Sequence, residues 1–215
     1  MMPEEFAEFA RLHTALAPAP FVPEVRLHQA AEPMGLWELT EGEYRSEQPP
    51  PFWAFAWAGG QGLARFVLDR PEVVRGRRVL DLASGSGLVG IAAALCGAAS
   101  VRAVDVDPVA VAVIGLNAAA NGVTVTAERA DLLDSDAGTA EVVLVGDAFY
   151  SKAMTERVTT FLRRAGRAGA RVLAGDPDRP FLRREWFREA ATYEVPVPEV
   201  LEGVAVRHTT IWELR

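Results

Sequence analysis

The residues of this chain best suited to chemistry lie between Arg78 and Gly90, in RVLDLASGSGLVG. A short apolar run ends in Asp81 and passes at once into a turn of Gly and Ser. That turn carries Gly85, Gly87 and Gly90, and a helix-forming run, Leu88 to Cys96, follows. A strand, a glycine turn and a helix N-terminus leave backbone N–H groups and bare Cα atoms facing a ligand. Gly85-x-Gly87-x-x-Gly90 formally matches the dinucleotide fingerprint. Asp105 ends the next strand, where a carboxylate accepts hydrogen bonds from ribose hydroxyls. Both features suit a nicotinamide dinucleotide and S-adenosylmethionine equally.

Three further carboxylates decide between the two. Asp81 stands just ahead of the glycines, where it would repel a pyrophosphate and attract an ammonium or a sulfonium. Asp131 follows the third strand in ERADLLD, placed to meet an adenine amino group. Asp147 follows the fourth in VGDAFY. Ligands of open α/β sheets bind at the carboxyl ends of the strands. Any one of these aspartates alone reads as a helix cap or a solvated loop residue. Four at successive strand ends describe a negative site for a positive ligand.

The elements that must position these groups alternate from Arg77 onward. Strands are expected at Val79–Leu82, Val101–Asp105, Val123–Ala127, Glu141–Gly146 and Arg171–Gly175. Helices are expected at Ser86–Cys96, from Asp107-Pro108 to Asn121-Gly122, and after Ser151. The pattern implies a Rossmann-like α/β fold, a mostly parallel seven-stranded sheet with helices on both faces. Tyr193–Val197 and Val204–Leu214 read as a C-terminal antiparallel hairpin completing it. Ahead of the core, Glu4–Leu16 has helical spacing and Pro18, Pro20 and Pro23 end it. Val25 to Leu39 mixes strand-like pieces with turns. Gly59-Gly60 reads as a turn before a helix from Gln61 to Leu68. FLRREWFRE reads as an exposed amphipathic helix. Residues 1–50 are expected to pack as a helical and extended prelude on a domain spanning 51–215.

Composition sets the outer bounds. The chain has 215 residues, half of them hydrophobic, and a net charge of −7, ordinary for a globular domain and unfavourable for nucleic acid phosphates. One cysteine, Cys96, permits no internal disulfide. His13, His28 and His208 are scattered, so no metal is expected. The acidic amphipathic start is unlike a signal peptide and no apolar run is long enough for a membrane span, so a cytoplasmic location is expected. Gly-x-Ser-x-Gly and Walker sequences are absent.

The constellation resembles the class I S-adenosylmethionine-dependent methyltransferases from about Trp53 to the C-terminus. DLASGSG departs from their D-x-G-x-G-x-G at Ala83, which is expected to hold an extended conformation. Asp147-Ala148-Phe149-Tyr150 looks like the D-x-x-Y motif of the protein lysine methyltransferases in this class. PFWAFAWAGGQGLARFVLDRPE and Gly175-Asp176-Pro177-Asp178-Arg179 are similar to segments of the electron transfer flavoprotein β-subunit lysine methyltransferases. The resemblance implies S-adenosylmethionine as cofactor. Asp81, Ser84, Gly85, Ser86 and Gly87 would hold its methionine end, Asp105 and Val106 the ribose, Asp131 and Leu132 the adenine, with Trp57 as a cover. It implies that Asp147, also touching the cofactor, and Tyr150 are catalytic. Trp53, Phe149, Asp176 and Arg179 would meet the substrate, a protein such as the flavoprotein subunit. A lysine must be neutral to attack, and a carboxylate favours its ammonium form. Asp147 is therefore assigned to docking and orientation, with the proton leaving through water or Tyr150.

Other readings keep the same fold. A small-molecule amine methyltransferase would close its acceptor pocket with the N-terminal segment. A non-catalytic interaction protein would bind the cofactor without transfer. A nicotinamide dehydrogenase would need NAD beside Asp81.

Overall fold

The structure, a computed structural model, describes residues 3–32, 35–36 and 50–215. Most of residues 33–39, the end of the expected Val25–Leu39 stretch, lie outside these described residues, as do residues 40–49 of the expected prelude. Helix α1 (Pro3–His13) leads into a hairpin of β1 (Ala15–Ala19) and β2 (Val22–Gln29). The remaining elements are α2 (Ala58–Asp69), β3 (Arg78–Leu82), α3 (Leu88–Leu95), β4 (Ser100–Asp105), α4 (Pro108–Ala120) and β5 (Thr126–Arg129). They continue with β6 (Val142–Gly146), α5 (Lys152–Arg167), β7 (Arg171–Asp176), β8 (Phe187–Pro196), the single turn α6 (Glu199–Glu202) and β9 (Val206–Leu214).

The sheet runs β5-β4-β3-β6-β7-β9-β8, parallel from β5 to β7 and antiparallel at β9 and β8. The chain leaves β3 toward β4 on one side and returns to β6 on the other, so a crevice opens between the ends of β3 and β6. Strand β6 shows why the alternation was readable. Val142 and Leu144 pack toward α2 and α3, while Val143 and Val145 pack toward α5, so every apolar side chain is buried. The helix caps also follow the sequence: Asp107 accepts from the Val109 N–H and Ser151 from the Met154 N–H.

Several boundaries differ from expectation. Helix α1 stops at His13, and Leu16 lies in β1, where Pro18 sits on an outer strand with no donor to lose. Two asparagines, Asn117 of α4 and Asn121 at its C-terminal cap, complete the exposed edge of β2. Asn121 bonds both polar backbone atoms of Arg26, and Asn117 accepts from the His28 N–H. The third parallel strand starts at Thr126 instead of Val123, in register with β4 through an Arg102–Glu128 ion pair. FLRREWFRE is not a helix: Arg184–Trp186 form a 3₁₀ turn and Phe187 opens β8, buried beneath Phe149. Pairing with β9 across nine positions outweighs the local helical spacing. Among the described residues, no helix is long and apolar enough to cross a membrane.

Candidate active site

A cavity of about 340 Å³ opens at the carboxyl ends of β3, β4 and β6. Its polar wall carries Asp81, Ser84, Gly85, Ser86, Asp105, Val106, Asp107 and Asp147. Phe52, Trp53, Phe55 and Trp57 form the apolar wall, and Tyr150 and Arg179 also line the cavity, Arg179 paired with Asp147. The aromatic wall is held edge-on, with Trp57 5.9 Å from Phe52 and 5.7 Å from Phe55 between ring centroids. The Trp57 indole N–H donates to the Phe52 carbonyl at 2.8 Å.

The glycine turn follows from backbone sterics. Gly85 and Gly87 have φ of +54° and +82°, the left-handed region open to glycine. Ala83 does not take the expected extended conformation; its φ is +52°. A β-carbon there costs roughly 1–2 kcal/mol, and the turn holds it because Ser84 N–H bonds the Val104 carbonyl and Gly87 N–H the Ser84 carbonyl. Gly90 lets α3 press on the sheet: a β-carbon would lie 3.0 Å from Asp81 Oδ2 and 3.2 Å from Val101.

Asp81 is buried, and its Oδ2 accepts the Ser84 hydroxyl at 2.5 Å and the Gly90 N–H at 2.9 Å. Burial pushes its carboxyl up to about 7, against the pull of those two bonds. Asp105 accepts the Gly85 and Asp107 N–H groups at 2.8 and 3.0 Å, and burial raises it as well. Among the described residues neither is paired with a cationic side chain. A pair of carboxylates served only by neutral donors has capacity left for a cation and for ribose hydroxyls.

Asp147 is different. It stands just after β6 at φ +55°. Its Oδ2 accepts the Gly59 N–H at 2.6 Å, and Oδ1 takes Nε of Arg179 at 2.9 Å and a terminal nitrogen at 2.8 Å. Arg179 in turn forks onto Glu202 of α6 at 3.0 and 3.3 Å, and Arg207 of β9 closes on the same carboxylate at 3.2 Å. Burial raises Asp147 and the Arg179 charge opposes the rise. Tyr150 is half exposed beside Phe52, its phenol raised by burial and then by Asp105.

A family model described as ribosomal protein L11 methyltransferase (PrmA) matches residues 65–170. The electron transfer flavoprotein beta subunit lysine methyltransferase of Xenopus laevis is 35% identical over 95% of this chain and 85% of its own length. The Rattus norvegicus protein of the same name is 36% identical over 76% of this chain and 66% of its own length. The crystal structure of a putative RNA methyltransferase from Pyrococcus horikoshii is alike in fold, with a TM-score of 0.57 at 21% identity over 82% of this chain and 93% of that one.

The chain belongs to the electron transfer flavoprotein β-subunit lysine methyltransferases. It is thereby a class I S-adenosylmethionine-dependent methyltransferase, and the cavity fits that cofactor. The unpaired carboxylates suit its positive charges. A β-carbon on Gly85 would meet only the Trp53 backbone, 4.0 Å away, so the turn is open toward the cavity.

Of the residues singled out in this family member's sequence, most line one cavity: Trp53, Trp57, Asp81, Ser84, Gly85, Ser86, Asp105, Val106, Asp147, Tyr150 and Arg179. Five stand elsewhere. Asp131 turns outward to an Arg157 salt bridge at 2.9 Å and a bond from the Leu133 N–H. Leu132 joins the core beneath α5, and Phe149 packs against Phe187 there. Gly87 caps α3, backed by Ile114. Asp176 is buried behind Arg179, whose N–H it accepts at 2.9 Å. Several residues of the site escaped the sequence reading, among them the wall residues Phe52, Phe55 and Asp107, and Gly59, Gly60 and Glu202. Gly59 and Gly60, expected to turn the chain, lie in the first turn of α2. Gly59 approaches the Gly175 carbonyl and Asp147 N–H so closely that no side chain fits. Glu202 carries no local motif: Arg207 is five residues on, but Arg179, which links it to Asp147, lies 23 residues back.

Proposed function

We propose that this chain transfers a methyl group from S-adenosylmethionine to a lysine side chain of a protein, with the electron transfer flavoprotein β subunit as the first candidate. One observation supports this reading beyond family membership: in the cavity Asp81 and Asp105 receive only neutral donors, whereas Asp147 is charge-balanced by Arg179. A lysine acceptor must be uncharged to react, while the donor is permanently cationic.

S-adenosylmethionine, when bound, would supply an electrophilic methyl on a sulfonium, which a neutral amine could accept with the S–C bonding pair left on sulfur. The protein's part is positioning, which is worth several kcal/mol without covalent or metal chemistry. In this reading Asp81 with Ser84 and Ser86 takes the ammonium end, and Asp105 with Val106 takes the ribose. Trp57 covers the cofactor. Asp147 orients the acceptor nitrogen as one half of an ion pair, not as a free anion. Tyr150, kept neutral by its raised phenol, offers a hydrogen bond while water carries the proton away. Trp53 and Phe52 wall the amine's alkyl chain from solvent.

Labelled S-adenosylmethionine, recombinant electron transfer flavoprotein and the enzyme should yield label on a lysine of the β subunit, located by mass spectrometry. Absence of label at saturating enzyme, or transfer only to small amines in parallel, would refute the proposal.

A further inference from the structure

The Asp147–Arg179–Glu202 cluster raises a question about the acceptor's proton. Arg179 is contributed by the loop after β7 and lines the cavity, with its guanidinium shared between two buried carboxylates on different elements. Without it Asp147 would face the cavity end as a bare anion that favours the ammonium form of an incoming amine, while Glu202, outside the cavity lining, would keep only Arg207. A guanidinium never deprotonates in a protein, so the masking holds at every working pH.

Resting on the lysine methyltransferase reading above, we propose that Arg179, anchored by Glu202, is a positioning residue that masks Asp147, so that the bound lysine gives up its proton at a lower pH than an unpaired Asp147 would allow. The charged groups at this end come from several elements. Asp147 follows β6. Asp176 ends β7, and Asp178 in the next loop is paired with Arg184 at 2.7 Å. Glu202 lies on α6, and Arg207 of β9 bonds it. Tyr150 lines the same cavity and feels the Asp105 charge, and Asp81 and Asp105 line it too, where they would meet the donor's positive end. Arg179 alone of these touches both buried carboxylates while lining the cavity. The proton leaves the amine for bulk water before transfer, and the nitrogen lone pair it frees makes the new N–C bond.

The test is the pH profile of kcat between pH 6.5 and 10, at saturating S-adenosylmethionine and flavoprotein β subunit. The rising limb reports the bound amine. In R179Q the limb should move up by about one unit or more, a tenfold or greater loss at neutral pH that recovers toward pH 10. R179K, which keeps the charge, should hold its limb near that of the wild type. E202Q removes one carboxylate, leaves Arg179 in place, and should move the limb down or leave it unchanged. Donor affinity, measured by calorimetry, should stay within a few-fold in all three. The inference falls if R179Q lowers kcat by one factor at every pH, if R179K shifts as far as R179Q, or if E202Q shifts the limb upward. Wild-type enzyme that methylates no lysine overturns the parent reading and this inference with it. Wild-type transfer with an unshifted R179Q limb overturns this inference alone.

Discussion

Alanine at two neighbouring glycines of α2 should act in opposite directions. A methyl on Gly59 would lie 2.7 Å from the Asp147 amide nitrogen and inside contact distance of the Gly175 carbonyl oxygen. Both are backbone atoms at the ends of buried strands, so neither can rotate aside. Carbon packs at about 3.5 Å or more from its neighbours, which forces α2 to retreat by roughly 1 Å. That movement stretches the 2.6 Å bond from Gly59 to Asp147. Overpacking costs about 1–3 kcal/mol, and a weakened bond to a carboxylate adds about 1.5–3 kcal/mol. The gain of a helical alanine over glycine returns only about 0.5–1 kcal/mol. Gly59→Ala should therefore lose about 2–5 kcal/mol, a large part of a domain's usual 5–15 kcal/mol or so. At Gly60 nothing lies within 4 Å of a β-carbon, so Gly60→Ala should gain up to about 1 kcal/mol. Urea unfolding at pH 7 reads both, with slopes of about 1–3 kcal/mol/M. The midpoint of Gly59→Ala should fall by about 1–2 M, and that of Gly60→Ala should rise by a few tenths. Equal shifts for the two, or a wild-type midpoint for Gly59→Ala, would refute the close approach of α2 to β6 and β7.

Three other outcomes follow from the same geometry. Asp81, raised to about 7 by burial, is mostly protonated at pH 6, yet a cationic donor binds its ionised form. Affinity for S-adenosylmethionine should climb between pH 5.5 and 8 with proton release, seen by calorimetry in two buffers, and Asp81→Asn should flatten the climb. Asp176 is also raised to about 7 by burial, with Oδ1 lacking a partner. Its raised value means the folded state binds the proton more tightly, so its stabilising contribution is full below about pH 4 and is lost as pH rises through about 7. Asp176→Asn should thus be more stable than wild type at pH 8, by up to a few kcal/mol, with the gap closing at pH 4. Phe149 is fully buried against Phe187, so Phe149→Ala should cost about 3–5 kcal/mol of stability by denaturant titration. A Phe149→Ala protein of unchanged midpoint but raised KM would return that ring to the substrate.

The parallel core was legible because both faces of its strands are covered. EVVLVG has no polar side to confuse the reading, and the Asp107-Pro108 start of α4 states its cap outright. The edge strands were less legible because one face meets solvent. In FLRREWFRE the charges suit a helix as well as a strand, and only pairing with β9 decides. The carboxylates of the site could be placed on strand ends from sequence, but their orientation could not. Asp131 looks equivalent to Asp105 in the chain, yet it is salt-bridged to Arg157 on α5 and does not line the cavity. Ala83 hides a left-handed backbone behind an ordinary residue type.

The deeper gap concerns charge pairing. Asp81, Asp105 and Asp147 look alike in sequence, each an aspartate at a strand end, and sequence alone treats them as one anionic row. The structure divides them by partner. Asp81 and Asp105 receive only N–H and hydroxyl donors, whereas Asp147 receives a guanidinium from 32 residues away, itself anchored by Glu202. The division matches the asymmetry of methyl transfer. A sulfonium carries its charge through every pH, so a bare carboxylate can only help to hold it. An amine must shed its charge to react, so a bare carboxylate beside it would bind the ammonium tightly and slow the step, since binding that favours the unreactive form raises the barrier. An ion pair at Asp147 keeps directional hydrogen-bond acceptors near the amine while cancelling most of their field, which a neutral side chain or an isolated aspartate would not achieve together.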